Sequence, residues 1–105
     1  MENDWIHQLL CETKLGRQAI FYEMLFLRTM HTEKEIAYGE LKGLFCHWVE
    51  NAVGIVLERM ITCGYIALEG PVDSDFSIVK ITHEGQEVFE KYGQLVIRNH
   101  KILWQ

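Results

Sequence analysis

The stretch from Asn51 to Gly70, NAVGIVLERMITCGYIALEG, constrains the fold of this chain more than any other. Its first part carries apolar side chains three or four residues apart, which predicts one buried side of a helix. These apolar residues are Val53, Val56, Leu57, Met60 and Ile61. Gly64 stands where a helix commonly ends in a left-handed residue, and the segment Tyr65–Leu68 that follows is rich in strand formers. The pattern therefore predicts a helix that ends at a glycine and leads directly into a strand.

Length and charge narrow the class of protein. With 105 residues, 49% of them hydrophobic, the chain is expected to form one folded domain. The formal net charge of −5 provides no overall attraction to phosphate backbones. Three cysteines without metal-type spacing indicate reduced thiols in the cytoplasm, and neither a metal nor a cofactor is expected. The acidic N-terminus and the shortness of the apolar stretch Ala19–Leu27 argue against a signal peptide and a membrane span.

Catalytic chemistry has no recognisable pattern in this sequence. We find no nucleophile–base–acid arrangement, phosphate-binding glycine loop or pair of catalytic carboxylates, so an enzyme is not expected. Cys46 has a neighbouring base in His47, and a redox role for this thiol is left open.

Two helices are predicted before the central stretch. The first covers residues 4–15, ends or bends at Gly16, and must pack on the domain or on a second subunit. Its apolar side consists of Trp5, Ile6, Leu9 and Leu10. The second, Arg17–His31, is apolar nearly all round, which predicts a mostly buried helix. Its excess of apolar surface indicates either a dimer interface or simply a half-exposed Phe21 or Tyr22.

The segment between this helix and the central stretch reads as a strand, a helix and a turn. Glu35–Tyr38 predicts a short strand, and Gly39–Phe45 predicts a helix with a core-facing edge. Cys46–Trp48 forms the turn, and the next helix follows at Val49–Cys63 or starts at Asn51.

A hairpin and a last helix complete the chain. Tyr65–Glu69 and Phe76–Thr82 are predicted as the two strands, and Thr82 as the N-cap of a helix from His83 toward Leu103. Along that helix a heptad-like seam predicts pairing with a partner helix. The seam consists of Val88, Tyr92, Leu95, Asn99 and Ile102. The alternative is that Val88, Phe89 and Tyr92 pack on the domain itself.

Three sequence segments resemble motifs of the MarR-like and PadR-like winged helix-turn-helix regulators. Ile81–Phe89 resembles the motif that closes their wing, and Glu35–Leu41 is similar to the entry into their second helix. Leu57–Ile66 resembles the end of their third helix, which corresponds to the predicted helix Val49–Cys63 of this chain. The resemblance covers Arg17–Tyr92. It implies a mainly helical α+β fold: a winged helix-turn-helix core (residues 17–82) between an N-terminal helix (residues 4–15) and a C-terminal, dimerising helix (residues 83–104), all in one domain.

The resemblance implies a dimeric transcription regulator whose third helix enters the DNA major groove and whose wing touches the minor groove or backbone. Asn51 then matches a base-reading position that could pair with adenine, and Ala52 could touch a thymine methyl group. The candidates for DNA contact are Lys42, His47, Asn51, Ala52, Ile55 and Lys80. The candidates for the dimer contact are Trp5, Leu9, Tyr92, Leu95 and Ile102.

The charges of the predicted helix Val49–Cys63 and of the predicted wing favour a partner other than DNA. Glu50, Glu58 and Arg59 leave the helix region with an excess negative charge, and the wing carries three carboxylates against Lys80. Affinity for DNA depends largely on cations that neutralise phosphates. The function that we expect is a dimeric DNA-binding transcription regulator, which the fold favours. The alternative, which the charges favour, is a winged-helix interaction module that binds a protein, such as an adaptor or antirepressor, and does not bind DNA.

Overall fold

The computed structural model describes residues 4–17, 19–48 and 52–100, which form a mainly helical α+β structure. The helices are α1 (Asp4–Glu12), α2 (Ile20–Glu33), α3 (Tyr38–Leu44), α4 (Ala52–Cys63), α5 (His83–Val88) and α6 (Gln94–Arg98), with a π-helical segment (Phe89–Gly93) between the last two. The strands are β1 (Glu35–Ala37), β2 (Ile66–Glu69) and β3 (Ile78–Ile81). The predicted fold class and order of elements are confirmed.

Helix α2 runs through the centre of the molecule because apolar side chains lie nearly all round its segment Ile20–Met30. Its most central side chains are completely buried: Ile20, Met24, Phe26, Leu27 and Met30. Phe21 and Tyr22 are half-buried, since Phe21 stacks on His100 with ring centroids 4.5 Å apart and Tyr22 meets Trp48 edge-on at 4.8 Å. The prediction of a half-exposed Phe21 or Tyr22 is confirmed, and a dimer interface on α2 stays a prediction.

The three strands form one antiparallel sheet in the order β1-β3-β2. The middle strand β3 places Val79 opposite Ile36 on β1 and Leu68 on β2, and Val79 is completely buried. Helix α4 ends as predicted at Gly64, whose φ of +83° is the left-handed conformation that lets the chain turn into β2. The hairpin strands are shorter than predicted, because Phe76 and Ser77 belong to the connecting loop.

Helix α1 contacts the π-helical segment of the same chain. Leu9 is completely buried, and the hydroxyl of Tyr92 donates a hydrogen bond of 2.6 Å to Glu12 at the end of α1. Leu9 and Tyr92 are therefore parts of this chain's own core, which corrects their assignment to a dimer contact. Trp5 and Leu95 are half-buried, and Ile102 lies outside the described residues.

The C-terminal helices begin as predicted, and their path then differs from the prediction. Thr82 caps α5, since its hydroxyl oxygen accepts a hydrogen bond of 3.1 Å from the backbone N–H of Gly85. The π-helical segment changes the register, so that Val96 rather than Leu95 is completely buried. The predicted heptad-like seam is thus interrupted. Phe89 and Tyr92 are buried in the domain itself, in agreement with the alternative to helix pairing.

Candidate interaction site on the fourth helix and the wing

The loop between β2 and β3 is ordered by hydrogen bonds within itself. We call β2, β3 and this loop (Gly70–Ser77) the wing. Ser77 is a buried residue, 2% exposed, and its hydroxyl donates a hydrogen bond to the carbonyl oxygen of Pro71. The backbone N–H groups of Ser74 and Ser77 donate to the carbonyl oxygens of Pro71 and Ser74, at 3.3 Å and 3.2 Å. The loop therefore has one defined conformation without contributing to the sheet.

The wing loop also caps the first turn of α3. The residue before α3, Ala37, has no side chain that could accept a hydrogen bond from the free N–H groups of the helix. Carbonyl oxygens of the loop act as the acceptors in place of a capping side chain. That of Ser77 accepts a hydrogen bond from the N–H of Tyr38 at 2.8 Å, and that of Asp75 accepts one from the N–H of Gly39 at 3.0 Å. The approach is so close that a Cβ atom on Gly39 would lie 3.0 Å from the Cβ of Asp75.

Two of the predicted phosphate contacts, Lys42 and Lys80, are engaged by carboxylates. Lys42 Nζ lies 2.5 Å from Asp75 Oδ1, and the hydrogen bond to Asp75 raises the pKa of Lys42 above its ordinary value. Lys80 Nζ lies 2.9 Å from Glu69 and 3.7 Å from Glu35, and the hydrogen bond to Glu69 likewise raises the pKa of Lys80. Both ammonium groups are partly exposed, but each already has a neutralising partner.

The cation of α4, Arg59, lies against a buried carboxyl group while its own side chain is 41% exposed. Arg59 Nε lies 3.4 Å from Oε1 of Glu23, a carboxylate on α2 with no exposed surface. Burial raises the pKa of Glu23 to about 7, although the charge of Arg59 lowers it in part. The sequence places Glu23 within an apolar helix, and this signal indicates a buried carboxyl group but not its partner.

The other predicted DNA contacts are two residues that line a groove and one exposed residue of α4. His47 and Ala52 border an apolar groove of about 550 Å³ between α2, the turn after α3, and α4. The groove is lined by Phe21, Tyr22, Leu25, His47, Trp48, Ala52 and Val56. Ile55 is 58% exposed on the outer side of α4, and Asn51 lies outside the described residues.

Apolar side chains are prominent on the outer surface of this region. The large apolar side chains that are more than half exposed are Phe76 (90%), Ile55 (58%), Leu44 (56%) and Val72 (55%). All four belong to α3, α4 or the wing, the elements for which the sequence predicted contact with DNA. The prediction from sequence missed Phe76, because its position in an apolar run placed it in the strand.

The described part of the chain has neither a cluster of metal-ligand residues nor a helix that could span a membrane. Within residues 4–17, 19–48 and 52–100, no three His, Cys, Asp or Glu side chains are grouped so that they could hold a metal ion. Cys11 and Cys46 are exposed and Cys63 is buried. None of the helices in these ranges has the length and apolar character needed to cross a membrane.

Comparison of the chain with protein-family models, with curated proteins and with solved structures gives no match. The class that the structure shows is a mainly helical α+β fold with a small three-stranded antiparallel sheet.

Proposed function

We propose that this chain is a winged-helix interaction module that binds a protein partner through the outer side of α4 and the wing. One observation carries the proposal: in the described structure, both lysines of α3 and the wing are paired with carboxylates. Lys42 pairs with Asp75 and Lys80 with Glu69 and Glu35, while Arg59, the cation of α4, lies against the buried side chain of Glu23.

These pairs oppose binding to a phosphate backbone. A protein gains affinity for DNA by placing cations near phosphates and releasing counterions, and this term supplies nearly all of non-specific binding. A lysine that is already neutralised by a carboxylate must lose that partner before it can contribute. Together, α3, α4 and the wing carry five carboxylates and three cations, so their combined field also repels DNA.

The exposed apolar groups support a protein partner. Ile55 and Phe76 give these elements apolar surface, and interface cores between proteins are enriched in apolar and aromatic side chains. Neither side chain helps to neutralise a phosphate.

A DNA titration at low salt tests this proposal. We expect no change in the fluorescence anisotropy of mixed genomic DNA fragments at protein concentrations up to about 10 μM, where a non-specific DNA-binding protein would be detected. The triple variant Glu35→Gln/Glu69→Gln/Asp75→Asn removes every carboxylate that is paired with Lys42 or Lys80 and serves as the matched control. It should bind DNA weakly, and salt should weaken that binding further. Salt-dependent binding by the unmodified chain would contradict the proposal.

The second candidate is the dimeric DNA-binding regulator implied by the resemblance to MarR-like and PadR-like proteins. The order of α3, the turn, α4 and the hairpin favours it, because that order is the helix-turn-helix with its wing. In that case the unmodified chain binds DNA in the same titration, and Asn51→Ala weakens the sequence-specific part of the binding.

A further inference from the structure

The tip of the wing presents a large aromatic side chain to solvent. Phe76 is 90% exposed, the highest value among the large apolar side chains of the described residues, and Val72 on the same loop is 55% exposed. If β3 extended to Phe76, the alternation that turns Val79 and Ile81 inward would turn Phe76 outward. The side chain therefore has no role in the packing of its own domain.

The backbone of Phe76 is nevertheless held in place. Its own N–H donates to the hydroxyl oxygen of Ser74 at 3.2 Å. The residues on either side, Asp75 and Ser77, have carbonyl oxygens that accept from the first turn of α3. The loop has thus lost most of its conformational freedom before any partner binds, and preorganisation of this kind lowers the entropic cost of association.

The charges around Phe76 distinguish between the possible partners. Five carboxylates and two lysines lie on β1, α3 and the wing: Glu35, Glu40, Glu69, Asp73, Asp75, Lys42 and Lys80. In the described structure both lysines are paired, whereas Asp73, three residues before Phe76, is exposed and has no ion pair. An exposed phenylalanine could also enter a DNA base step or an anionic membrane, but this field repels both surfaces.

We propose that Phe76 is an anchor that inserts into an apolar pocket on a protein partner whose pocket is rimmed by lysine or arginine. The proposal rests on the proposed protein-binding function and names the residue and the chemistry of the partner. Asp73 supplies the charge that pairs with the rim, and Val72 extends the apolar contact next to the anchor.

The test uses a phage-displayed library of random peptides, selected in parallel on the full chain and on the variants Phe76→Ala and Leu44→Ala. Leu44 is 56% exposed at the end of α3, so Leu44→Ala removes a comparable apolar group outside the wing. A peptide selected by the unmodified chain is then synthesised and titrated against all three proteins and against Asp73→Asn. Circular dichroism verifies that each variant is folded, and Phe76→Leu tests whether an apolar side chain of similar size restores binding.

We expect the unmodified chain to select peptides that combine an apolar residue with lysine or arginine. Phe76→Ala should weaken binding by about tenfold or more, as is usual for a buried anchor. Asp73→Asn should weaken binding severalfold and reduce its dependence on salt. Leu44→Ala should have no effect, and Phe76→Leu should retain most of the affinity.

Other outcomes separate this inference from the proposed function. Equal binding by Phe76→Ala would overturn the anchor, while the proposed function would stand because the peptide binds elsewhere on the chain. Selection of acidic or uncharged peptides would overturn the cationic rim. If the unmodified chain selects no peptide at all, the anchor and the proposed protein-binding function both fail. Self-association that Phe76→Ala abolishes would identify a second copy as the occupant, against the proposal.

Discussion

Glu23 is the residue whose surroundings differ most from those that its type prefers. It is completely buried on α2, and neither carboxylate oxygen has a hydrogen-bond partner among the described residues. Arg59 gives charge compensation at 3.4 Å, but this does not replace the hydration that the carboxylate loses. Burial therefore raises the pKa of Glu23 to about 7, well above its ordinary value of 4.5.

This shift predicts that the protein loses stability as the pH rises from about 4.5 to 7. In that range Glu23 loses its proton in the unfolded chain and keeps it in the folded one, so the free energy of unfolding falls by up to about 3 kcal/mol. Glu23→Gln cannot ionise and should remove most of this dependence, so that it is more stable than the unmodified chain at pH 8. Urea denaturation at several pH values measures the effect.

Glu40→Gln, which replaces an exposed carboxylate on α3, is the control for the Glu23 variant and should leave the pH profile unchanged. An unmodified chain whose stability is constant between pH 4.5 and 7 would show that Glu23 is ionised in the fold.

The wing and α3 act as one structural unit at the scale of elements. The wing provides the acceptors for the first turn of α3, and α3 in return fixes the loop that carries Phe76. Lys42 on α3 adds an ion pair to Asp75 of the loop. A change at the start of α3 should therefore alter the wing, even though the two segments lie more than thirty residues apart in sequence.

Two glycines of α3 test this unit. An alanine Cβ at Gly39 would lie 3.0 Å from the Cβ and 3.3 Å from the carbonyl oxygen of Asp75, whereas a Cβ at Gly43 meets nothing within 4 Å. Gly43→Ala should stabilise the fold by about 0.5–1 kcal/mol through helix propensity alone. Gly39→Ala gains the same propensity but displaces the loop, so it should be about 1–2 kcal/mol less stable than Gly43→Ala.

Thermal and urea unfolding of the two variants measures this difference. Equal stability of Gly39→Ala and Gly43→Ala would mean that the loop moves away from α3 without cost, and the wing would then not hold Phe76 in place.

The parts of this structure that follow from local sequence patterns were predictable. The end of α4 at Gly64 and the cap at Thr82 depend on neighbouring residues only, and both predictions are confirmed. The contacts between Lys42 and Asp75 and between Arg59 and Glu23 join distant segments, so no periodicity or spacing indicates them. For the same reason the sequence indicated lysines in the candidate site but not that both are already paired with carboxylates.

The molecule as a whole is built around α2. The first helix, α1, is joined to the π-helical segment Phe89–Gly93 by hydrogen bonds. Glu12 at the end of α1 accepts hydrogen bonds from Tyr92 at 2.6 Å and from Lys91 at 2.7 Å. The hydrogen bond from Lys91, together with that from Tyr92, lowers the pKa of Glu12 to about 2. The contribution of this contact to stability is therefore present above pH 4.5 and is lost as the pH falls toward 2, opposite in sign to that of Glu23.

This contact predicts that α1 opens more easily than the centre of the fold and that Tyr92 controls its opening. Tyr92→Phe keeps the buried ring and removes the hydroxyl that donates to Glu12, so the amides of α1 should exchange with deuterium severalfold faster. The amides of α2 should be unaffected, because its side chains are buried by the rest of the core. Gln94→Ala, at an exposed position on α6, is the matched control. Unchanged exchange of α1 in Tyr92→Phe would mean that buried Ile6 and Leu9 alone hold the helix on the domain, without help from the hydrogen bond to Glu12.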